Sequence, residues 1–168
     1  MVAVNFEYAN YAENNVFNLI KKFDRLPIKI FSFELKVDLN FSNYKEYFFQ
    51  AVSNSSWANE GCLVALNLSE DDEFIEALQK LSLSFGIGII KLDAQNISQS
   101  KILSPAKFKT QMDYSVVSEL AGKNNIFSKF LKTTVEFDPE NQSRYLNEFD
   151  KILEDDDFEQ YLKAKKIH

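Results

Sequence analysis

Glu34 and Lys36 stand two residues apart in Ile30-Phe31-Ser32-Phe33-Glu34-Leu35-Lys36, the only Glu-x-Lys in the chain. Side chains two apart on a strand point to the same face, with backbones roughly 6.6 Å apart. A carboxylate and an ammonium are thereby presented side by side. The carboxylate can bind Mg²⁺ through oxygen, with water filling the other positions. The lysine can position or deprotonate an attacking water and offset charge on a phosphate. Together they make half a site for phosphodiester hydrolysis. The plainer reading is a solvated ion pair worth about 0–1 kcal/mol.

Such a pair needs a strand to hold it. Residues 28 to 37 are rich in β-branched and aromatic side chains, which predicts a central strand. On it Ile28, Ile30, Ser32, Glu34 and Lys36 share one face, while Phe31, Phe33, Leu35 and Val37 share the other, expected to be core. Before it, Val2, Val4, Phe6 and Tyr8 alternate as a strand does. Val16, Leu19, Ile20 and Phe23 have the spacing of a helix with one buried face, and Pro27 ends the connection. After it, Ser42 is read as the cap of a helix to about Val52, followed by a polar loop around Trp57. Residues 62 to 68 read as a strand buried on both faces. Ser69 with Asp72 opens the next helix, Gly86 stops it, and residues 87 to 92 form another buried strand. Ile102 and Leu103 read as an edge strand broken by Pro105. The remainder reads as helices, at about 114 to 121, 126 to 134 and 142 to 166. The class is α/β, with a mixed central sheet flanked by helices.

Composition narrows the function classes. A chain of 168 residues fits one domain, and 16 phenylalanines with few Gly or Pro favour packed elements. The net charge of −6 does not hold nucleic acid by itself, so a nucleic-acid role needs a local basic patch, a metal ion or a further segment. Cys62 is the one cysteine, which rules out an internal disulfide and fits a cytoplasmic setting. His168 is the only histidine, which removes histidine triads and histidine-cluster metal sites. No apolar run is long enough to cross a membrane, and the first residues lack the regions of a signal peptide. Gly86-Ile87-Gly88 follows a helix and lacks the later glycine of a dinucleotide fingerprint. The acidic run from Glu154 to Asp157 reads as a solvated helix face.

The segments Ser32-Phe33-Glu34-Leu35-Lys36, Leu39-Asn40-Phe41-Ser42-Asn43-Tyr44 and the stretch from Phe49 to Gly61 closely resemble the HrgA family. That family is associated with restriction–modification loci. Its members resemble a PD-(D/E)xK nuclease domain, often behind an amino-terminal winged-helix DNA-binding domain. The resemblance runs from the first residues to about Lys107. It implies a restriction-endonuclease-like core over residues 1–107 and a helical carboxyl-terminal extension over 108–168. It implies a Mg²⁺-dependent DNA endonuclease, with Glu34 as metal ligand and Lys36 and Gln50 as its catalytic companions. Gln50 matches a glutamine that orders the metal site or the scissile phosphate; the alternative is a polar residue on an exposed helix face. Asn54, Ser55, Ser56 and Asn59 are candidate contacts to phosphate or bases, and a hydrogen-bonded turn explains them equally. Trp57 reads as a core anchor rather than a stacking platform.

One motif residue is missing. The family pattern needs an Asp at the start of the preceding strand, and that position falls just before Met1. The expectation is a chain truncated at its front, with weakly bound Mg²⁺ and little or no cleavage alone. Asp24 and Glu7 are poor substitutes: the first sits at a helix end, the second too far along its strand. DNA is the expected partner, and a homodimer is compatible. The alternatives are a non-catalytic DNA- or protein-binding module and a decayed gene fragment.

Overall fold

A computed structural model describes residues 1–7, 9, 15–23, 28–145, 147–149 and 160. Five strands form one mixed sheet in the order β1-β2-β3-β4-β5: Val2–Asn5, Lys29–Leu39, Glu60–Leu68, Gly88–Lys91 and Lys101–Ser104. β2, β3 and β4 run parallel, and β1 and β5 flank them antiparallel. Helix α1 spans Asn15–Phe23. α2 (Tyr44–Asn54) and α3 (Asp72–Phe85) are the crossovers that parallel pairing requires. α4 (Tyr114–Lys123) and α5 (Asn125–Glu136) follow the sheet. The α/β class and the mixed sheet are as the sequence predicts.

Local chemistry sets the boundaries. Asp71 caps α3, accepting from the Phe74 amide at 2.9 Å, where the sequence reading placed a Ser69–Asp72 pair. Gly86, at φ 75°, stops the same helix as expected. Ser42 does not cap α2; its amide and hydroxyl both donate to Asn40 Oδ1, forming a turn instead. Residues 139–145 form 3₁₀ turns in place of the start of a long helix. Tyr8, Asp24, Pro27, the acidic run at 154–157 and His168 lie outside the described residues.

The two packed clusters lie on one side of the sheet, while Cys62 and Val64 of β3 are buried on the other. Phe48 and Ala51 of α2 and Phe74 and Leu78 of α3 pack on Leu39, Leu63, Ala65 and Ile89. Alongside, Phe127 of α5 joins Ile30, Trp57 and Ala58, with Val2 and Val4 of β1 and Val116 and Leu120 of α4 against them. Each such fully buried large apolar side chain contributes about 1.5–3 kcal/mol.

Register identifies that side. Glu34 lies opposite Leu63, and Lys36 opposite Ala65. The face bearing Glu34 and Lys36 is therefore the covered one. The sequence reading had the reverse face as core, and there it is corrected: Leu35 is 50% and Val37 53% exposed. Both faces of this strand carry apolar residues, so its pattern alone does not say which one the helices cover.

Candidate functional site

β2 begins apolar on its covered face, with Ile30, and ends charged, with Glu34 and Lys36. Their side chains are 18% and 19% exposed, so both are largely withdrawn from water. Burying charge costs several kcal/mol per ion unless the charge is paired. The pair is closed at 2.8 Å, from Lys36 Nζ to Glu34 Oε1.

α2 supplies the rest. A helix repeats its face every three to four residues, and Glu46, Gln50 and Asn54 are spaced four apart, with Tyr47 beside them. Lys36 Nζ donates to Gln50 Oε1 at 2.7 Å and sits 4.3 Å from the centroid of the Tyr47 ring. Gln50 Nε2 in turn donates to Glu46 Oε1 at 3.3 Å. Asn54 Nδ2 donates to Glu34 Oε2 at 2.8 Å. The predicted trio Glu34, Lys36 and Gln50 thus meets at one point. The sequence reading missed Glu46, Tyr47 and the Asn54–Glu34 bond. The Glu46-x₃-Gln50-x₃-Asn54 stripe is the signal that would have found them.

Burial pushes the Glu34 carboxyl up, and the hydrogen bonds from Lys36 and Asn54 outweigh it, with further pull from the positive charges of Lys36 and the amino terminus. The net result is a carboxyl below its ordinary range, held as the anion. Met1 contributes because its ammonium donates to the Phe33 carbonyl at 2.9 Å, next to Glu34.

The remaining candidates separate. Asn59 is wholly buried: its Oδ1 accepts from the Ile30 amide at 2.8 Å and its Nδ2 donates to the Lys109 carbonyl at 2.9 Å. Ser55 is buried too, its hydroxyl donating to the Ala51 carbonyl at 2.6 Å. Asn59 thus ties β2 to the segment at Lys109, and Ser55 bonds back one turn onto α2, so both side chains serve the protein's own backbone. Gly61 makes room for Ser55, since a Cβ there would lie 2.0 Å from its Oγ. Ser56 is exposed. Trp57 is a core anchor, with Nε1 donating to the Asn54 carbonyl at 2.9 Å and its ring edge-on to Phe127 at 5.1 Å. Glu7 pairs with Lys29 at 2.9 Å and is not part of the site.

A divalent cation here would meet oxygen donors. The groups are hard oxygens, as Mg²⁺ requires: the Glu34 carboxylate, the Gln50 amide oxygen and the Glu46 carboxylate. Among the described residues no group of three or more His, Cys, Asp or Glu side chains gathers to hold an ion. A divalent cation at Glu34 would have to displace the Lys36 ammonium, which holds both the Glu34 and the Gln50 oxygens. Glu34 and Asn54 also form part of the wall of a cavity of about 1150 Å³, whose other walls include Phe6, Phe33, Trp57, Phe127 and Phe130. Among the described residues no helix is long and apolar enough to cross a membrane. Compared with known proteins, the chain matches no family model, no curated protein and no solved structure.

Proposed function

We propose that this chain carries half of a Mg²⁺-dependent phosphodiester-hydrolysis site on a restriction-endonuclease-like, HrgA-type core that acts on DNA in the cytoplasm. One observation carries the reading: a strand and the helix that follows it bring the Glu34 carboxylate and the Gln50 amide oxygen onto the same Lys36 ammonium, at 2.8 and 2.7 Å. Glu34 would hold the cation through its carboxylate. That ion would polarise the phosphate and lower the pKa of a bound water. Lys36 would leave Glu34 to steady the attacking water and the charge on the phosphate. Gln50 would keep the lysine near its place while it does so.

One protein carboxylate on the strand gives a weak site, so the chain alone should cut DNA poorly. The test is a Mn²⁺ titration of the ¹⁵N,¹³C-labelled chain. Paramagnetic broadening is expected first at Glu34 and Lys36, and Glu34→Ala should abolish it. Broadening that ignores Glu34→Ala would sink the proposal. The closed network favours a second reading: Glu34 and Lys36 are already satisfied by protein partners, as in a non-catalytic binding module. That reading predicts DNA or protein affinity indifferent to Glu34→Ala.

A further inference from the structure

Glu34 has two partners of different stiffness. Lys36 reaches Oε1 on a flexible four-carbon stem whose ammonium can turn to other acceptors. Asn54 reaches Oε2 from the last residue of α2, on a short side chain. The main chain beneath that side chain is pinned from two directions. The Asn54 carbonyl accepts from Ser32 Oγ at 3.1 Å and from Trp57 Nε1 at 2.9 Å. Ser32 and Trp57 are both buried, and Ser32 stands two residues before Glu34 on the same face of β2. The strand that carries the carboxylate therefore also fixes the donor that meets it. A carboxylate only accepts, so the amide must turn its nitrogen to Glu34.

We infer that Asn54 is the positioning residue of Glu34, a fixed anchor on Oε2 that keeps the carboxylate in place while Lys36 leaves Oε1. Side-chain groups at a site stay in register only when a second layer of bonds holds them. Without Asn54, Glu34 freed from Lys36 would have no described donor on its carboxylate and would be able to swing toward water. The purpose given to this anchor rests on the reading of Glu34 as a cation ligand; the anchoring itself does not. The division of labour inside Asn54 makes it testable. Its carbonyl serves the core and its amide serves Glu34, so Asn54→Ala removes the second and leaves the first.

The experiment follows the Asn54 side-chain amide of the full chain by ¹⁵N NMR. In the native chain one Nδ2 proton should be shifted downfield by the carboxylate. The shift should vanish in Glu34→Gln and persist in Lys36→Met, with Lys36→Gln as a second variant should that one not fold. Loss of the shift in the lysine variants would mean that the lysine orients the carboxylate, and the inference would be wrong. Retention in Glu34→Gln would overturn it as well. A second measurement concerns the cation. Asn54→Ala should weaken Mn²⁺ binding about tenfold, with the emission of Trp57, the only tryptophan, unchanged. Unaltered Mn²⁺ affinity in that variant would count against the anchor. A native chain that binds no Mn²⁺ removes the cation reading, and the amide shifts alone then decide the anchor.

Discussion

Burial raises the Glu34 carboxyl, and the hydrogen bonds of Lys36 and Asn54 bring it below its ordinary range. A carboxyl lower in the folded than in the unfolded chain stabilises the fold fully above the unfolded value. That stabilisation is lost as pH falls through the folded value. The native chain should therefore lose melting temperature steeply on acidification below the ordinary glutamate range. Glu34→Gln should flatten that part of the profile, and a profile unchanged by the substitution would contradict the network. Cys62 moves the opposite way. Burial, then the charge of Glu60, push its thiol up to about 11, against a lowering bond to Gly88. A thiolate is the reactive form, so Cys62 should resist a disulfide-exchange reagent at pH 8 until the chain unfolds. Rapid labelling of the folded chain would refute its burial. The types and spacing of Glu34 and Lys36 were legible because a two-residue offset has one meaning on a strand. The loop residues were not. Asn59 and Ser55 are polar types that serve either a ligand or the protein's own backbone, and only their burial, set by chain segments 50 and 4 residues away, distinguishes the two.

Elements add register, which no pattern on a single strand contains. Val2 pairs with Ser32 and Val4 with Ile30, so the position facing Glu34 on β1 is the one before Met1. Residues directly opposite in an antiparallel pair share a face and lie about 4.5–5.5 Å apart. An aspartate placed there by a two-residue Met-Asp extension would stand beside Glu34 and displace the terminal ammonium from its neighbourhood. Such a chain should bind Mn²⁺ at least about tenfold more tightly than the original. Equal affinities in a calorimetric titration would show that β1 does not complete the site. Strand and helix boundaries were readable from periodicity, and most elements fall where the pattern puts them. The covered face of β2 was not readable, because it depends on where α2 and α3 land. Asn59 measures how much that landing depends on polar ties. Asn59→Ala leaves the buried Ile30 amide without its partner and cuts the tie to the partly exposed Lys109 carbonyl. It should cost about 2–4 kcal/mol in denaturant unfolding, whereas Ser56→Ala should cost under about 0.5 kcal/mol.

Over the whole molecule, charge limits how the site can meet a polyanion. The chain carries −6, and about half of the described lysines lie against a glutamate. Lys29, Lys80, Lys91, Lys123 and Lys129 each lie against a glutamate, as Lys36 does at the site. Exposed pairs of this kind add little stability, about 0–1 kcal/mol, but they cancel the field that would draw in phosphate. Each phosphate neutralised by a free cation adds about 0.9 to the slope of log affinity against log salt. The expected slope for duplex DNA is therefore shallow, below about 3, with affinity no better than about 10⁻⁵ M at physiological salt. Fluorescence anisotropy across a salt series measures both. If the slope comes out steep, with tight binding, the described surface is not the one that meets DNA. If it is shallow and Glu34→Ala alters it further, Glu34 and a cation take part in the contact. A shallow slope indifferent to Glu34 leaves the sheet and its helices as a scaffold on which the Glu34–Lys36–Gln50 network is a structural tie.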